Sequence, residues 1–156
     1  NPNDYEARAE LMLSCAYGCN GILSNGNGSS GWPCHGIEHA LSAYYDITHG
    51  EGLAIITPKW MKHILNEKTV SRFVSYGVNI FGIDKNMDPF EIANLAIAKT
   101  YDFFKSIGIP MSLREVGIDE SRLAEMAHHI ALNEGLENAW APLSENDILE
   151  ILEASL

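Results

Sequence analysis

The spacing of apolar residues along the chain predicts helices and no regular strands. In residues 4–23, apolar and small side chains recur at steps of three and four, which places them on one face of a helix. Either Asn3 or Asp4 can cap this helix. The same spacing predicts a helix over 68–81. A short strand competes with a helix in the ambiguous apolar run at 53–57.

Capping residues predict where further helices begin and end. Pro33 suits the first position of a helix, and Pro58 starts or kinks another helix in the segment that follows Gly52. The later signals are Asp88 with Pro89 at a start, Gly108 at its end, Asp119 before a helix through Leu132, and Ser144 with Asp147 at the last start. Together these signals predict an all-α fold of about six to eight helices.

The remaining organisation is simple. Residues 24–31, SNGNGSSG, form a polar, Gly-rich connector; a phosphate-binding loop is not expected, because no Gly-Lys-Ser/Thr follows and no strand precedes it. A chain of 156 residues can bury one sizeable core. We therefore expect residues 1–156 to form a single helical domain.

The composition narrows the classes of partner. A formal net charge of −11 disfavours nucleic acid and anionic membrane surfaces, because both attract clustered Lys and Arg. No apolar run reaches the roughly 18 residues of a membrane-spanning helix, and no signal peptide is visible. The odd number of cysteines, with Cys15 and Cys19 at helical spacing, fits a reduced, cytoplasmic protein. Because the chain starts with Asn and not Met, we expect a fragment or a processed product.

Three of the six histidines lie in one stretch, WPCHGIEHALSAYYDITHGEGLA, at residues 32–54. In one straight helix, His35, His39 and His49 would share a polar stripe with Ser42 and Asp46. Three histidines this close together, with flanking glycines, indicate a functional cluster. We interpret the other histidines as structural: His63, His128 and His129.

One interpretation of the cluster is a zinc peptidase. HGIEH matches the H-x-x-E-H signature, in which His35 and His39 would bind zinc and Glu38 would act as the base. A third, acidic ligand would have to come from a later helix, where the candidates are Glu91, Glu120 and Glu125.

A second interpretation pairs His35 with His49. In a straight helix these residues would lie about 21 Å apart, at a rise of about 1.5 Å per residue, which is too far for one metal with bonds of about 2 Å. The helix would have to end by about Asp46 so that His49 folds back. Gly50 and Gly52 would then permit close approach of the backbone to a ligand.

The stretch PCHGIEHALSAYYDITHGEGLAIITPKWM closely resembles the iron-containing (group III) alcohol dehydrogenases, especially their butanol-dehydrogenase branch. The shared pattern, H-x3-H-x9-H-G-x-G/A followed by L-A and a Pro, is longer and more specific than H-x-x-E-H. The resemblance covers essentially the whole chain. It implies the C-terminal helical half of a two-domain, dehydroquinate-synthase-like enzyme whose N-terminal nucleotide-binding domain is absent from this sequence.

The resemblance also implies roles for the histidines. His35 and His49 would be metal ligands, and His39 would be the catalytic histidine that faces the nicotinamide cofactor and the substrate; Glu38 receives no role. The implied metal is Fe²⁺, although imidazole also suits Zn²⁺ and other divalent metals. An Asp and another His in a D-x3-H pattern would complete the site, and this chain has no convincing candidate for them.

The implied reaction is hydride transfer between an alcohol or aldehyde and NAD or NADP, with NADPH suggested by the butanol branch. The missing domain would bind most of the nucleotide, the complete enzyme would be a homodimer, and the isolated fragment would be inactive. A third interpretation remains, in which the chain is a helical interaction domain with structural histidines. It predicts that the histidines do not converge.

Overall fold

All regular elements in the described part of the chain are helices, which confirms the all-α prediction. The structure, a computed structural model, describes residues 1–24 and 31–156, so most of the predicted connector at 24–31 lies outside it. The chain divides into two compact units, Asn1–Ser30 and Gly31–Leu156. The α-helices of the described residues are α1, Tyr5–Cys19; α2, Pro33–Tyr45; α3, His49–Ile64; α4, Val70–Phe81; α5, Pro89–Ser106; α6, Leu123–Asn133; and α7, Glu145–Ala154.

The first unit contains α1 and a short 3₁₀ turn, Ile22–Ser24. Of the two predicted capping residues, Asp4 is the cap, and its carboxylate accepts a hydrogen bond from the backbone N–H of Ala7. The helix ends at Cys19, before the end of the predicted pattern. None of its residues is buried.

A sharp break separates α2 from α3. Pro33 occupies the first turn of α2, as predicted, and the helix ends at Tyr45. Asp46 then adopts a left-handed conformation with φ of 53°, and its backbone N–H still bonds to the carbonyl of Ser42. The polar Asp side chain tolerates this conformation better than a branched one would. The helix therefore ends at the predicted place.

The next helix begins earlier than the sequence pattern predicts. It was expected after Gly52, but α3 starts at His49 with Thr48 in the capping position. Pro58 lies inside α3, and the ambiguous run at 53–57 is helical. The run was ambiguous in sequence because a continuous apolar segment can be either a buried strand or a buried helix. Here it lies inside the longer helix α3, where it is largely buried.

Helices α4 and α5 pack closely against each other. The start of α5 is as predicted: the Asp88 carboxylate accepts from the backbone N–H groups at positions 90 and 91, and Pro89 follows. Its C-terminal Gly108 has a φ of +87°. In α4, a side chain at Gly77 would bring a Cβ to 2.9 Å from Ile92. Glycine at this position lets α4 approach α5 directly.

Caps also define the last two helices. Asp119 accepts from the backbone N–H of Ser121, but the element that it caps is a 3₁₀ turn, Glu120–Arg122, from which α6 continues. Ser144 and Asp147 form the predicted capping box of α7, each side chain accepting from the backbone N–H of the other residue.

The core of the second unit joins helices that are distant in sequence. Helix α2 contacts α3 and α6, and α3 contacts α5 and α7. No helix of the described residues is both long and apolar enough to span a membrane. The largest fully buried side chains are those of Ile37, Leu41, Ile55, Ile56, Ile92, Leu113, Ile118, Leu123, Met126, Ile130, Leu136 and Ile148. This packing fixes α2 against α3 and so positions the histidines that both helices carry.

Candidate metal centre

Three imidazole rings converge where the start of α2 faces the start of α3. The ring centroids of His35 and His49 lie 5.3 Å apart. His39 lies 5.8 Å from His49 and 6.2 Å from His35. The helix break brings together two residues that a straight helix would separate by about 21 Å. The predicted fold-back of His49 beside His35 is confirmed. The interpretation as a helical interaction domain predicted that the histidines do not converge, and the geometry does not support it.

The cluster opens to the surface on one side. The His39 and His49 side chains are 55% and 48% exposed. His35 is half-buried and packs edge-on against Trp32, with ring centroids 4.6 Å apart. The rings are therefore held from behind while their outer edges are accessible to an ion or a small molecule.

The electrostatics keep His35 in the form that binds metals. Burial lowers the pKa of His35 below its ordinary value, and the neighbouring His49 and His39 lower it further, while Glu38 opposes the shift. An imidazole with a lowered pKa is neutral at neutral pH and has a lone pair to offer.

The adjacent cysteine has the opposite character. Burial raises the pKa of Cys34 to about 11, against a smaller effect of its hydrogen bond with Thr57. Its thiol is therefore protonated at neutral pH and packs against the hydrophobic core. Thiolate is the form that binds metals, so His35 is the better ligand of the two neighbours.

A buried carboxylate lies directly beneath the cluster. Glu38 has no exposed surface. The hydroxyl of Ser42 donates to its Oε1, and its Oε2 pairs with Nδ1 of His49. In the dehydrogenase interpretation, Glu38 has no role. The available signal was its four-residue spacing to Ser42, which places both polar groups one above the other on a helix.

A second acid faces His39. Oε1 of Glu134 lies 3.6 Å from Nδ1 of His39, and the two can form an ion pair when the histidine is protonated. Glycine at position 36 makes room for it, since a Cβ there would lie 3.1 Å from the Glu134 side chain. Glu134 could not be identified from the sequence, because it lies about a hundred residues away and no local pattern links it to the histidines.

The peptidase interpretation gains no support from this geometry. Glu38 would have to be an accessible base, but it is buried and its two oxygens are occupied. Two of the proposed acidic ligands are engaged elsewhere: Glu120 pairs with Arg114, and Glu125 pairs with Arg122.

Two of the three histidines outside the cluster, His63 and His128, pair with acids, while the His129 ring lies against the Tyr44 ring with centroids 6.2 Å apart. Nε2 of His63 lies 3.0 Å from Asp147 and its Nδ1 lies 3.7 Å from Glu150, so the ring links α3 to α7. Among the described residues these three side chains are also close enough to share an ion, but both ring nitrogens already face carboxylates. Nδ1 of His128 pairs with Glu145 at 3.1 Å.

The donor set of the cluster fits a divalent transition metal. His35 and His49 offer two imidazole nitrogens from two rigidly packed helices, and imidazole suits Fe, Zn, Ni and Cu. A carboxylate behind a ligating histidine is the usual support for such a site. Glu38, whose Oε2 pairs with Nδ1 of His49, would provide this support if His49 bound a metal.

Comparison with known proteins places this centre in a family. The model of the C-terminal part of the Fe-containing alcohol dehydrogenases matches residues 1–156. The chain belongs to the Fe-containing alcohol dehydrogenase family. The NADH-dependent butanol dehydrogenase A of Clostridium acetobutylicum is 52% identical over 154 residues, which cover 98% of this chain and 39% of that protein. The NADPH-dependent aldehyde reductase YqhD of Escherichia coli is 27% identical over 93% of this chain and 35% of its own length.

Solved structures of this alcohol dehydrogenase family share the fold. The NADH-dependent butanol dehydrogenase A of Thermotoga maritima superposes with a TM-score of 0.87 at 35% identity, covering 99% of this chain and 40% of that one. The substrate- and cofactor-free form of YqhD shares the fold, with a TM-score of 0.87 at 21% identity, over 100% of this chain and 40% of that one. The chain thus spans about two fifths of the length of these proteins. The predicted resemblance is confirmed.

Proposed function

We propose that this chain is the metal- and substrate-binding helical domain, residues 1–156, of an NAD(P)-dependent alcohol or aldehyde oxidoreductase. The observation that carries the proposal is the convergence of His35, His39 and His49 across the break between α2 and α3. Family membership supports it, because the relatives reported above are named as dehydrogenases and reductases.

His35 and His49 would hold the metal, and Fe²⁺ is the ion that the family name implies; Zn²⁺ or another divalent ion also suits imidazole. When bound, such an ion supplies Lewis-acid chemistry at an alcohol or carbonyl oxygen. Glu38 orients the His49 ring from behind. The His39 ring is exposed beside the other two; it would face the substrate and nicotinamide and hold or release a proton there.

The substrate class is a small alcohol or aldehyde, and the redox partner is a nicotinamide nucleotide, which carries the hydride. Two relatives that are 52% and 48% identical to this chain over the aligned residues are named NADH-dependent butanol dehydrogenases, whereas YqhD is named NADPH-dependent. A preference for NADPH, a homodimeric assembly and a cytoplasmic location stay predictions.

Alanine variants in the enzyme that contains this chain test the proposal. His35→Ala and His49→Ala should lower metal content and activity together, because each removes a ligand. His39→Ala should retain the metal and alter turnover or its pH dependence. His128→Ala, at an exposed histidine paired with Glu145, is the matched control and should change neither quantity.

Metal content is measured by elemental analysis after dialysis, and turnover by alcohol-dependent reduction of NAD or NADP. The proposal is contradicted if His39→Ala loses the metal while His49→Ala keeps it. That result would favour the H-x-x-E-H arrangement of ligands.

A further inference from the structure

We propose that Glu38 is a positioning residue that holds His49 in the tautomer protonated at Nδ1, so that Nε2 presents its lone pair to the metal. The inference rests on the proposed metal centre and adds a role that neither the family pattern nor the comparisons assign. Neutral imidazole carries one proton, and the hydrogen bond made by one ring nitrogen decides which nitrogen is free.

The carboxylate is built into the interior. Glu38 is fully buried, and each of its oxygens has a partner: Oε1 accepts from the hydroxyl of Ser42, and Oε2 meets Nδ1 of His49. A buried acid with both oxygens paired has little freedom to turn. The ring that it touches is consequently held in one orientation, although that ring is about half exposed.

The backbone around Glu38 is shaped for this contact. Gly52 lies one turn after His49 in α3, and a Cβ at this position would lie 2.6 Å from Cγ and 2.8 Å from Oε1 of Glu38. Such distances are shorter than real Cβ contacts allow. The second glycine of the HGEG motif thus leaves space for the carboxylate, which differs from the predicted close approach of the backbone to a ligand.

Glu38 and its partner Ser42 also link His49 to the break between α2 and α3. The oxygen of the Ser42 hydroxyl also lies 3.3 Å from the carbonyl oxygen of Ile47, in the turn that leads to His49. Glu38 and Ser42 belong to α2, while His49 and Gly52 belong to α3. One polar network, built on the buried Glu38 carboxylate, therefore contributes to both the packing of the two helices and the direction of the His49 ring.

The partner of His39 is a useful contrast. Glu134 lies 3.6 Å from the His39 ring and is 31% exposed. A carboxylate at that distance and exposure gives weaker orientation than a buried one in direct contact. The difference suits the two proposed roles, since a ligand must keep one tautomer while a histidine that exchanges protons must be free to change.

The opposite placement of the proton between Glu38 and His49 makes a different prediction. If Glu38 carried the proton and donated it to Nδ1, Nε2 of His49 would carry a hydrogen and could not bind a metal. The tautomer of His49 in the metal-free chain therefore decides between the two arrangements. It can be read from imidazole ¹⁵N shifts of the 156-residue chain at about pH 8.5, roughly two units above the ordinary histidine pKa of about 6.5.

We expect the Nδ1-protonated form of His49 to predominate, although free histidine prefers the other tautomer. Predominance of the Nε2-protonated form would overturn the proposal. Because this measurement uses the unaltered chain, it remains decisive even if variants of a buried residue fold poorly.

The second measurement uses Glu38→Gln, with Glu134→Gln as a control that removes the same charge beside His39. Zn²⁺ is titrated into each protein while the ¹⁵N shifts of His35 and His49 are followed, with circular dichroism as a check on the fold. Loss of a partner behind a metal ligand weakens binding about 10- to 100-fold, and we expect this for Glu38→Gln. Glu134→Gln should weaken binding much less than Glu38→Gln does, because Glu134 contacts only His39, which is not a proposed ligand.

The outcomes separate this proposal from the function on which it rests. A folded Glu38→Gln chain that binds Zn²⁺ as tightly as the unaltered chain would show that Glu38 only fills space. If His35→Ala and His49→Ala leave the metal content of the enzyme that contains this chain unchanged, the metal centre itself is wrong. If Zn²⁺ binds with the expected tautomer but the enzyme does not turn over alcohols, the positioning role stands and the proposed reaction fails.

Discussion

At the scale of single residues, two glycines in one motif have different tasks. Gly50 has open space around the position of a Cβ, whereas Gly52 lies against the Glu38 side chain. Both glycines belong to the first turn of α3. The sequence does not distinguish the two glycines. The structure shows that Gly52 is required by packing, whereas any small residue could replace Gly50.

We predict that Gly52→Ala destabilises the chain and disturbs His49. The added methyl group must displace buried Glu38, and overpacking of this kind costs about 1 to 3 kcal/mol. Urea unfolding measures the loss in the free energy of unfolding, and imidazole ¹⁵N shifts report the change at His49.

Gly50→Ala is the matched control at an exposed position two residues away. Alanine favours a helix by up to about 1 kcal/mol over glycine, so this variant should be as stable as the unaltered chain or more stable. Equal effects of the two substitutions would contradict the specific contact between Gly52 and Glu38.

At the scale of elements, the start of α7 combines a local signal with a tertiary one. Ser144 and Asp147 cap the helix reciprocally, and Asp147 also pairs with His63 of α3. These contacts lower the pKa of Asp147, with the hydroxyl of Ser144 as the largest cause and burial opposing it. The carboxylate therefore stabilises both the helix end and its attachment to α3.

We predict that Asp147→Asn lowers the free energy of unfolding at neutral pH by about 1 kcal/mol, a typical value for a helix cap. Because the folded pKa is depressed, the stabilisation is complete above the unfolded value of about 3.9. It is lost as the pH falls through the folded pKa. The difference between the variant and the unaltered chain should therefore shrink below about pH 4.

Glu153→Gln is the control for charge, because it removes an exposed acid from the C-terminal turn of the same helix. An acid at a helix C-terminus is slightly unfavourable, so this variant should be neutral or mildly stabilising at every pH. A difference for Asp147→Asn that persists unchanged at low pH would show that its carboxylate charge is not the cause.

At the scale of the whole molecule, the second unit contains the core. All buried hydrophobic residues of the described chain lie in Gly31–Leu156, and so do the three converging histidines. The core is continuous through α2, α3, α6 and α7. This unit has the features of a structure that folds by itself.

We predict that a chain shortened to residues 31–156 folds cooperatively and keeps the His49 tautomer, because it retains the whole described core. Its melting temperature should lie within about 4 °C of that of the full chain, the shift that about 1 kcal/mol produces in a domain of this size. Thermal unfolding followed by circular dichroism is the measurement. A broad, non-cooperative transition would show that residues 1–30 are required for the fold.

Much of this architecture depends on local chemistry and could be predicted from residue order. A cap acts on backbone groups within its own first turn, so Asp88 and Ser144 each mark a helix start whatever lies around them. Pro33 marks the start of α2 in an equally local way, because its fixed φ suits the first helical position. The spacing of His35 and His49 likewise required a break near Asp46 if both were to bind one ion. The family followed from the length of the shared motif.

Tertiary packing decided the rest. Glu38 looks the same in sequence whether it is a solvated base or a buried support, and only the approach of α3, with Gly52 against it, removes it from water. Glu134 reaches His39 only because α6 packs on α2. Burial depends on which distant helices come together, and no local pattern records that, so the supports of the site became visible only in the folded chain.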